Sequence, residues 1–247
     1  MYDSELWVTV HEDSRDEPVG IAMRTAPHNL VVSPMPAPAA KALGERLAVI
    51  DPDLPGVSGT PAVADAVVAA FGAGDQARPG FRNLVRVLED LRPPRHKVPG
   101  LARPVAPGDH DLVIDWMHAF GVEAGLHVQP SRDAIRADFL LGGAPPLWFW
   151  EVQDDPVSLG GHAPIVSTPS GTVARIGPIY TPLTHRGHGY GSAITHHLAT
   201  ALSQRCAIVM LYTDAANTIS NSIYEQLGFV AVAEWVEVTI GGVTRPG

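Results

Sequence analysis

Residues 172–191, TVARIGPIYTPLTHRGHGYG, decide the fold of this chain. The first half of the stretch, Val173 to Tyr180, is apolar and rich in β-branched residues, which predicts a strand. The second half is dense in glycine and predicts a loop. A helical pattern follows at once, and one face of it carries Ile194, Leu198, Ala201 and Leu202. The stretch therefore predicts a strand, a glycine loop and a helix in direct succession.

This order of elements predicts a binding site for a phosphate group. The backbone N–H groups of a helix's first turn point outward, and the helix dipole adds partial positive charge there. Glycines at 187, 189 and 191 let the backbone approach an anion without an intervening Cβ atom. No lysine lies near enough to complete a P-loop. A dinucleotide-binding fold would carry its glycines after the first strand of a long βαβ series, whereas this loop lies in the last third of the chain.

Two sequence signatures resemble those of one enzyme superfamily. The pattern Arg186-x-x-Gly189-x-Gly191 resembles motif A of the GNAT superfamily of N-acetyltransferases, (Gln/Arg)-x-x-Gly-x-(Gly/Ala), whose loop holds the pyrophosphate of acetyl-coenzyme A. Residues 207–213 predict a buried strand. Residues 214–229 then resemble the family's second signature, in which an asparagine-containing turn opens a short helix that ends in Tyr-x-x-x-Gly-Phe.

In this chain the tyrosine of the second signature is Tyr224, and its glycine and phenylalanine are Gly228 and Phe229. The resemblance covers residues 100–240 and implies an α/β protein with the mixed sheet of the GNAT fold. It also implies an acetyl-coenzyme A-dependent N-acetyltransferase, in which a primary amine attacks the acetyl group directly in a ternary complex.

The resemblance implies backbone contacts to the coenzyme at two places. The N–H groups that would hold the pyrophosphate belong to Gly187, His188, Gly189, Tyr190, Gly191 and Ser192. Backbone groups of Ile179, Tyr180 and Thr181 would pair with the pantetheine arm and polarise the acetyl carbonyl. Arg186 either lies along the phosphates or forms a salt bridge at the surface.

Side-chain roles follow from the second signature and from the acidic residues near the expected acceptor site. Asn217 and Asn221 are implied coenzyme contacts, and both also suit the start of a helix as caps. Tyr224 is the implied general acid, because a phenol can give a proton to a thiolate, and its alternative role is packing. Glu151 and Glu123 are candidates for the general base, although relatives can use a water chain instead.

Residues 1–97 predict a first domain and residues 98–247 a second, since repeated prolines between them indicate a linker. The first domain is predicted to contain strands at 6–11, 20–25 and 30–33 and helices at 37–49 and 61–71, with residues 83–91 undecided between strand and helix. This order is typical of a degenerate copy of the GNAT fold. The alternative is a simple α+β cap over the substrate pocket.

The second domain is predicted to begin with two helices, Asp109 to Glu123 and Ser131 to Gly142. Strands follow at Pro146 to Val152 and Val157 to Gly161. The last strand is predicted at Phe229 to Ile240.

Composition narrows the class of protein. The net charge is −9 with histidine neutral, which argues against a nucleic-acid partner and against an anionic membrane surface. The start of the chain lacks the pattern of a signal peptide, and the single cysteine, Cys206, is typical of a reducing cytoplasm and of core packing. Four clustered histidines lack the acidic or cysteine partners of a metal site, so no metal is expected; they are His185, His188, His196 and His197.

The sequence thus predicts an N-acetyltransferase that uses acetyl-coenzyme A. Two alternatives remain: a non-catalytic acetyl-coenzyme A-binding module, and a phosphate-binding module for another nucleotide. The acceptor is a small-molecule or peptide amine, and the acidic net charge favours a cationic one. The oligomeric state is not predicted.

Overall fold

The computed structural model describes residues 5–13, 16–125, 131–140, 143 and 145–241. The strands are β1 (Glu5–Val10), β2 (Gly20–Thr25), β3 (Leu30–Val32), β4 (Gly56–Gly59), β5 (Ala77–Leu88), β6 (Leu101–Pro104), β7 (Leu147–Val152), β8 (Asp155–His162), β9 (Val166–Thr168), β10 (Gly171–Tyr180), β11 (Ile208–Asp214) and β12 (Phe229–Ile240). The helices are α1 (Ala37–Ile50), α2 (Pro61–Phe71), α3 (His110–Glu123), α4 (Arg132–Leu140), α5 (Tyr190–Ser203) and α6 (Thr218–Gln226).

The described residues form two compact units. The first comprises those up to Val85, the segment Asp214–Ala216 and those from Val232 onward, and the second comprises those of Arg86–Thr213 and Asn217–Ala231. Strands β5 and β12 therefore contribute residues to both units. The domain boundary between residues 97 and 98, and the degenerate GNAT copy before it, stay predictions.

The first unit has the strand order β1-β2-β3-β4-β12-β5. Strands β3 and β4 pair in parallel, whereas β1 with β2, β2 with β3, and β4 with β12 pair antiparallel. Helices α1 and α2 bury their alanine, leucine and valine side chains together with the inner residues of β3 and β4. The predictions of β2 and α2 are confirmed residue for residue, and α1 runs one residue further than predicted. Of the undecided segment 83–91, residues 83–88 belong to strand β5, and residues 89–91 follow it.

The second unit has the strand order β11-β10-β8-β7-β6, with β9 paired to β10. Strands β10 and β11 are parallel and α5 connects them, while the other pairs are antiparallel. The predicted mixed α/β sheet is confirmed. Ile194, Leu198 and Leu202 are buried in the core of this unit as predicted, but Ala201 is exposed.

Strand β10 is irregular in its last four residues, after Ile176. Its parallel pairing with β11 joins Val173–Ile176 to Ile208–Leu211, and the last four residues of β10 lie beyond that register. Its antiparallel pairing with β8 shifts between Ile176 and Ile179, at Gly177, which has φ 142°. The strand therefore separates from β11 over residues 177–180 and leaves a backbone edge there.

Three local predictions need correction or comment. The predicted linker contains strand β6, which pairs with β7 at the end of the sheet order, where a proline is tolerated. Strand β8 begins at Asp155, two residues before the predicted start at Val157, because the turn residues are Gln153 and Asp154, both with positive φ. Ser131, the predicted first residue of helix α4, is the cap of that helix, since its Oγ accepts a hydrogen bond of 3.1 Å from the backbone N–H of Ala134. The predicted helix end at Gly142 lies outside the described residues.

No helix within the described part of the chain combines the length and the apolar character that crossing a membrane requires.

Candidate active site

The glycine loop and the start of α5 leave backbone donors without helical acceptors. Gly189 is the N-cap of α5 with φ 81°, and its carbonyl accepts the first helical hydrogen bond, 3.0 Å from the N–H of Ala193. The N–H groups of Tyr190, Gly191 and Ser192 precede that bond, so the helix itself offers them no acceptor. The dipole of α5 makes this position favourable for an anion.

The three glycines of the loop differ in backbone conformation and in their neighbours. Gly187 has φ 83°, and a Cβ atom built on it would have no neighbour within 4 Å among the described residues. A Cβ atom on Gly189 would lie 3.0 Å from Cγ2 of Val98, so this glycine allows the segment before β6 to approach. A Cβ atom on Gly191 would lie 3.4 Å from Oγ1 of Thr181, at the end of β10. Gly191 thus keeps the space between the helix start and the strand end free.

Three side chains join at the end of β10. The hydroxyl of Tyr180 donates to Oε1 of Glu123 at 2.9 Å, and Nη2 of Arg186 donates to Oε2 of the same carboxylate. Arg186 also donates from Nε to the carbonyl of Thr181 at 2.8 Å. The carbonyl of Tyr180 accepts a hydrogen bond of 3.0 Å from Oγ of Ser158. The Tyr180–Glu123–Arg186 network therefore ties α3, β10 and the glycine loop together.

The charges of this network shift two pKa values. Burial would raise the pKa of Glu123, but the hydrogen bonds from Arg186 and Tyr180 outweigh burial and hold the pKa below its ordinary value. Burial and the hydrogen bond to Glu123 raise the pKa of Tyr180. Glu123 is thus a carboxylate at neutral pH, and Tyr180 is a phenol.

Aromatic side chains of α3 cover the same strand end. The ring of Trp116 lies 6.1 Å from that of Tyr180, and the ring of Phe120 lies 6.4 Å from it, both edge to face. Trp116 also contacts Phe149 of β7, at 5.3 Å between ring centroids. These contacts make an apolar wall beside the carboxylate of Glu123.

Helix α6 starts with the predicted asparagine cap. Oδ1 of Asn217 accepts a hydrogen bond of 3.0 Å from the N–H of Ser220, so the capping role of Asn217 is observed. Gly228 follows the helix with φ 96°, as the sequence pattern requires. The coenzyme contacts of Asn217 and Asn221 stay predictions.

Arg86 is the largest buried polar side chain of this region, with 2% of its surface exposed, and was not among the site residues predicted from the sequence. Its guanidinium donates to Oδ1 of Asn221 at 3.2 Å, to Oε1 of Glu225 at 2.8 Å and to the carbonyl of Phe229 at 3.3 Å. The signal was present in the sequence, because Arg86 interrupts an otherwise apolar strand end, Leu84 to Leu88.

Tyr224 lies beside Arg86 in the core of this unit. Its ring contacts Phe229 edge to face at 6.2 Å. Burial raises its pKa to about 12, and the charge of Arg86 acts in the opposite direction. The phenol therefore keeps its proton at neutral pH, which a general acid requires. Its catalytic role stays a prediction.

Neither candidate base is an isolated carboxylate. Glu123 is paired with Arg186, and Glu151 accepts a hydrogen bond of 2.7 Å from Nε of Arg103. Arg103 also pairs with Asp109 at 2.7 Å. Arg186 thus forms the salt bridge that was one of its two predicted roles, while its phosphate contact stays a prediction.

The histidines that cluster in the sequence have different surroundings in the structure. The ring of His188 stacks on Tyr190 at 5.4 Å, and burial lowers the pKa of both His196 and His197 on α5. Within the described ranges, no group of three or more His, Cys, Asp and Glu side chains is placed to hold a metal ion. Cys206 is buried and packs in the core.

Comparisons with known proteins agree with the two signatures. Residues 165–238 match the family model described as FR47-like protein. A search of curated proteins finds no match. Among solved structures, a GNAT-family acetyltransferase from Colwellia psychrerythraea superposes with a TM-score of 0.64 at 9% identity, over 95% of this chain and 85% of the other.

Two further solved structures give the same result. A GCN5-related N-acetyltransferase from Sphaerobacter thermophilus has a TM-score of 0.62 at 17% identity, over 94% of this chain and 78% of the other. One from Kribbella flavida has a TM-score of 0.59 at 15% identity, over 98% and 90%. The chain therefore has the fold of the GNAT acetyltransferases. The segment that matches the FR47-like family model, residues 165–238, includes the glycine loop and the parallel pair β10 and β11.

Proposed function

We propose that this protein is an N-acetyltransferase that transfers the acetyl group of acetyl-coenzyme A to a primary amine, by direct attack in a ternary complex. The observation that carries the proposal is the position of the α5 N-terminus next to the strand end of β10, with Gly191 facing Thr181. A phosphate site and a free strand edge in this order are what coenzyme A needs, because it has a pyrophosphate followed by an amide-containing arm.

The residues present fit the coenzyme. The donors of Tyr190, Gly191 and Ser192 would hold the pyrophosphate, with Gly187, His188 and Gly189 completing the loop around it. The edge of β10 beyond Ile176 offers backbone groups that would pair with the pantetheine amides in the manner of an added strand. When bound, acetyl-coenzyme A supplies an acyl group activated as a thioester.

The chain's own residues would then do three things. Backbone groups of Ile179, Tyr180 and Thr181 would orient the acyl carbonyl and polarise it. The aromatic wall of α3 would exclude water from the reacting atoms. Tyr224, which keeps its proton at neutral pH, would donate it to the departing sulfur.

The acceptor amine has to arrive neutral or lose a proton in the site. Glu123 is ionised and its carboxylate contacts the last residue of β10, so we infer that it, directly or through water, takes the proton of a cationic amine. The net charge of −9 supports a cationic acceptor, such as a polyamine, an aminoglycoside or a peptide N-terminus.

One observation favours a second candidate, a non-catalytic module that binds acetyl-coenzyme A. Both Glu123 and Glu151 are paired with arginines, and paired carboxylates are weaker bases than free ones. Such a module would keep the coenzyme site and lack turnover.

One experiment separates these functions. The protein is incubated with acetyl-coenzyme A and a panel of primary amines, and release of the free thiol is followed. Binding of coenzyme A, ATP and NAD is compared by calorimetry. Amine-dependent thiol release supports the transferase. Coenzyme A binding without release supports the module, and preference for ATP or NAD would contradict both.

A further inference from the structure

Arg86 is a buried cation whose hydrogen bonds all reach one small part of the second unit. A guanidinium that is 2% exposed needs compensating acceptors, because burying an unpaired charge is costly. Its acceptors are Asn221 and Glu225 on α6 and the carbonyl of Phe229 at the start of β12. Arg86 therefore joins the end of β5 both to α6 and to the first residue of β12.

The bond to Asn221 fixes the orientation of its amide. Arginine has only donors, so the atom of Asn221 that faces Arg86 must be the acceptor Oδ1. The amide nitrogen of Asn221 then points away from Arg86. Arg86 therefore fixes which of the two amide atoms of Asn221 faces the end of β5.

In the sequence of α6, Tyr224 lies between Asn221 and Glu225, whose side chains accept hydrogen bonds from Arg86. Asn221 and Tyr224 are three residues apart on α6, which places them on neighbouring positions of one helix face. Glu225, next to Tyr224 in the chain, is fixed by its bond of 2.8 Å to Arg86. The guanidinium thus limits the rotation of the helix turn that carries the phenol, and its charge acts on that phenol.

The buried position of Arg86 has a cost in folding stability. Its Nε–H is buried and has no hydrogen-bond partner within the described part of the chain. An unsatisfied buried donor destabilises the folded state. Local rules of this kind are broken mainly where function requires it.

We propose that Arg86 is a positioning residue of the acyl-transfer site, which fixes the part of α6 that carries Tyr224 through Asn221 and Glu225 and so holds the Tyr224 hydroxyl at the reacting sulfur. The inference rests on the proposed function and gives Arg86 no contact with either substrate.

Kinetics of four variants test the proposal. Arg86→Met removes the charge and the donors but keeps an unbranched side chain, and Arg86→Lys keeps the charge without the planar fork. Arg82→Met is the matched control, because Arg82 lies on the same strand but is exposed and pairs with Glu234. The fourth variant combines Arg86→Met with Tyr224→Phe.

We expect the effects of Arg86→Met and Tyr224→Phe on kcat to be non-additive. Arg86→Met should lower kcat at least tenfold, as part of the ~10²–10⁴-fold that general acids contribute, and Arg86→Lys should fall between it and the parent. Adding Tyr224→Phe to Arg86→Met should then lower kcat by a smaller factor than Tyr224→Phe does in the parent, because the acid is already misplaced. Multiplicative effects, or an unchanged kcat per folded molecule, would overturn the proposal. If Arg86→Met does not fold, the same cycle is run with Arg86→Lys.

A measurement that does not require enzymatic activity tests this proposal independently of the proposed function. Position 224 is labelled with 3,5-difluorotyrosine, whose more acidic phenol titrates in an accessible pH range, and its fluorine resonance is followed against pH. The cation of Arg86, partly balanced by Glu225, should stabilise the phenolate. The apparent pKa should therefore rise in Arg86→Met and stay near the parent value in Arg86→Lys and Arg82→Met. Equal values in the parent and Arg86→Met would overturn the proposal, even if no acceptor amine is found.

Discussion

The hydroxyl group of Tyr180 donates a hydrogen bond of 2.9 Å to Oε1 of Glu123, and this bond links the last residue of β10 to the last residue of α3. A negative charge at the C-terminal end of a helix is unfavourable by itself. The presence of a glutamate at this helix end is therefore explained by its tertiary partners, the Tyr180 phenol and the Arg186 guanidinium. It is not explained by helix formation. Glu123 holds the aromatic wall of α3 over the end of the strand.

The first prediction concerns stability against pH. The pKa of Glu123 is lower in the folded protein than its ordinary value of 4.5, so its ionised form stabilises the fold above that value. This contribution is lost as the pH falls through the folded-state pKa. Glu123→Gln should lower Tm at pH 7, and the difference from the parent should shrink below pH 4.5. Thermal melts from pH 3 to 8 measure this, with the exposed Glu45→Gln as control. A difference independent of pH would disprove the assignment.

The second prediction concerns the proton donor. Tyr224→Phe keeps the ring that packs on Phe229 and removes only the hydroxyl. Turnover should fall by roughly 10²–10⁴-fold, while the affinity for acetyl-coenzyme A stays nearly unchanged. Tyr212→Phe, on an exposed tyrosine of β11, is the control. Parent-like turnover with chemistry as the slow step would remove Tyr224 from the mechanism, and water would have to supply the proton.

The third prediction concerns the helix start. Gly191 is the better probe than Gly189, because Gly189 has φ 81° and faces Val98, so a side chain there would also strain the backbone. Gly191→Val should reduce the affinity for coenzyme A at least tenfold, about 1.4 kcal/mol, with a small change in Tm. Calorimetry measures the affinity. Gly108→Val, in open space, should bind normally, and normal binding by Gly191→Val as well would contradict the phosphate site.

The fourth prediction concerns stoichiometry. Both helices of the first unit carry proline in their first turn, Pro38 in α1 and Pro61 in α2, and proline has no N–H to offer an anion. One coenzyme A should therefore bind per chain. Titration calorimetry of the whole chain should give a single site, and two equivalent sites would show that the first unit also binds.

The fifth prediction compares two glycines with the same backbone. Gly72 and Gly228 both follow a helix, with φ 87° and 96°. A Cβ atom on Gly72 meets nothing within 4 Å among the described residues, whereas one on Gly228 would lie 1.8 Å from the carbonyl oxygen of Asp90. Gly72→Ala should cost about 1–2 kcal/mol of unfolding free energy from the left-handed backbone alone. Gly228→Ala should cost about 1–3 kcal/mol more from the clash, and denaturant unfolding measures both. Equal costs would contradict the packing at Asp90.

The parts of the fold that depend on residues close together in the sequence were predictable. The buried face of α5, the Asn217 cap and the left-handed Gly228 each follow from a few consecutive residues. Strand β6 was missed because its flanking prolines indicate a linker, and only its pairing with β7 makes an edge strand out of it.

The contacts that complete the candidate site were less predictable. Arg86 bonds to residues 135 to 143 positions further along the chain, and Tyr180 bonds to Glu123, 57 positions away. No local pattern specifies such partners. An arginine inside an apolar strand indicates that some partner exists, but which residues supply it depends on how the strands are ordered.

The free edge of β10 has a consequence for the chain when no ligand is present. Exposed strand edges are templates on which a second chain can add itself and start an aggregate. Here the edge beyond Ile176 is four residues long and includes Pro178, which cannot donate a ladder hydrogen bond. A short edge with a missing donor suits a partner that brings only one or two amide groups. The same geometry that would accept a pantetheine arm thus offers a second chain only a short and interrupted template.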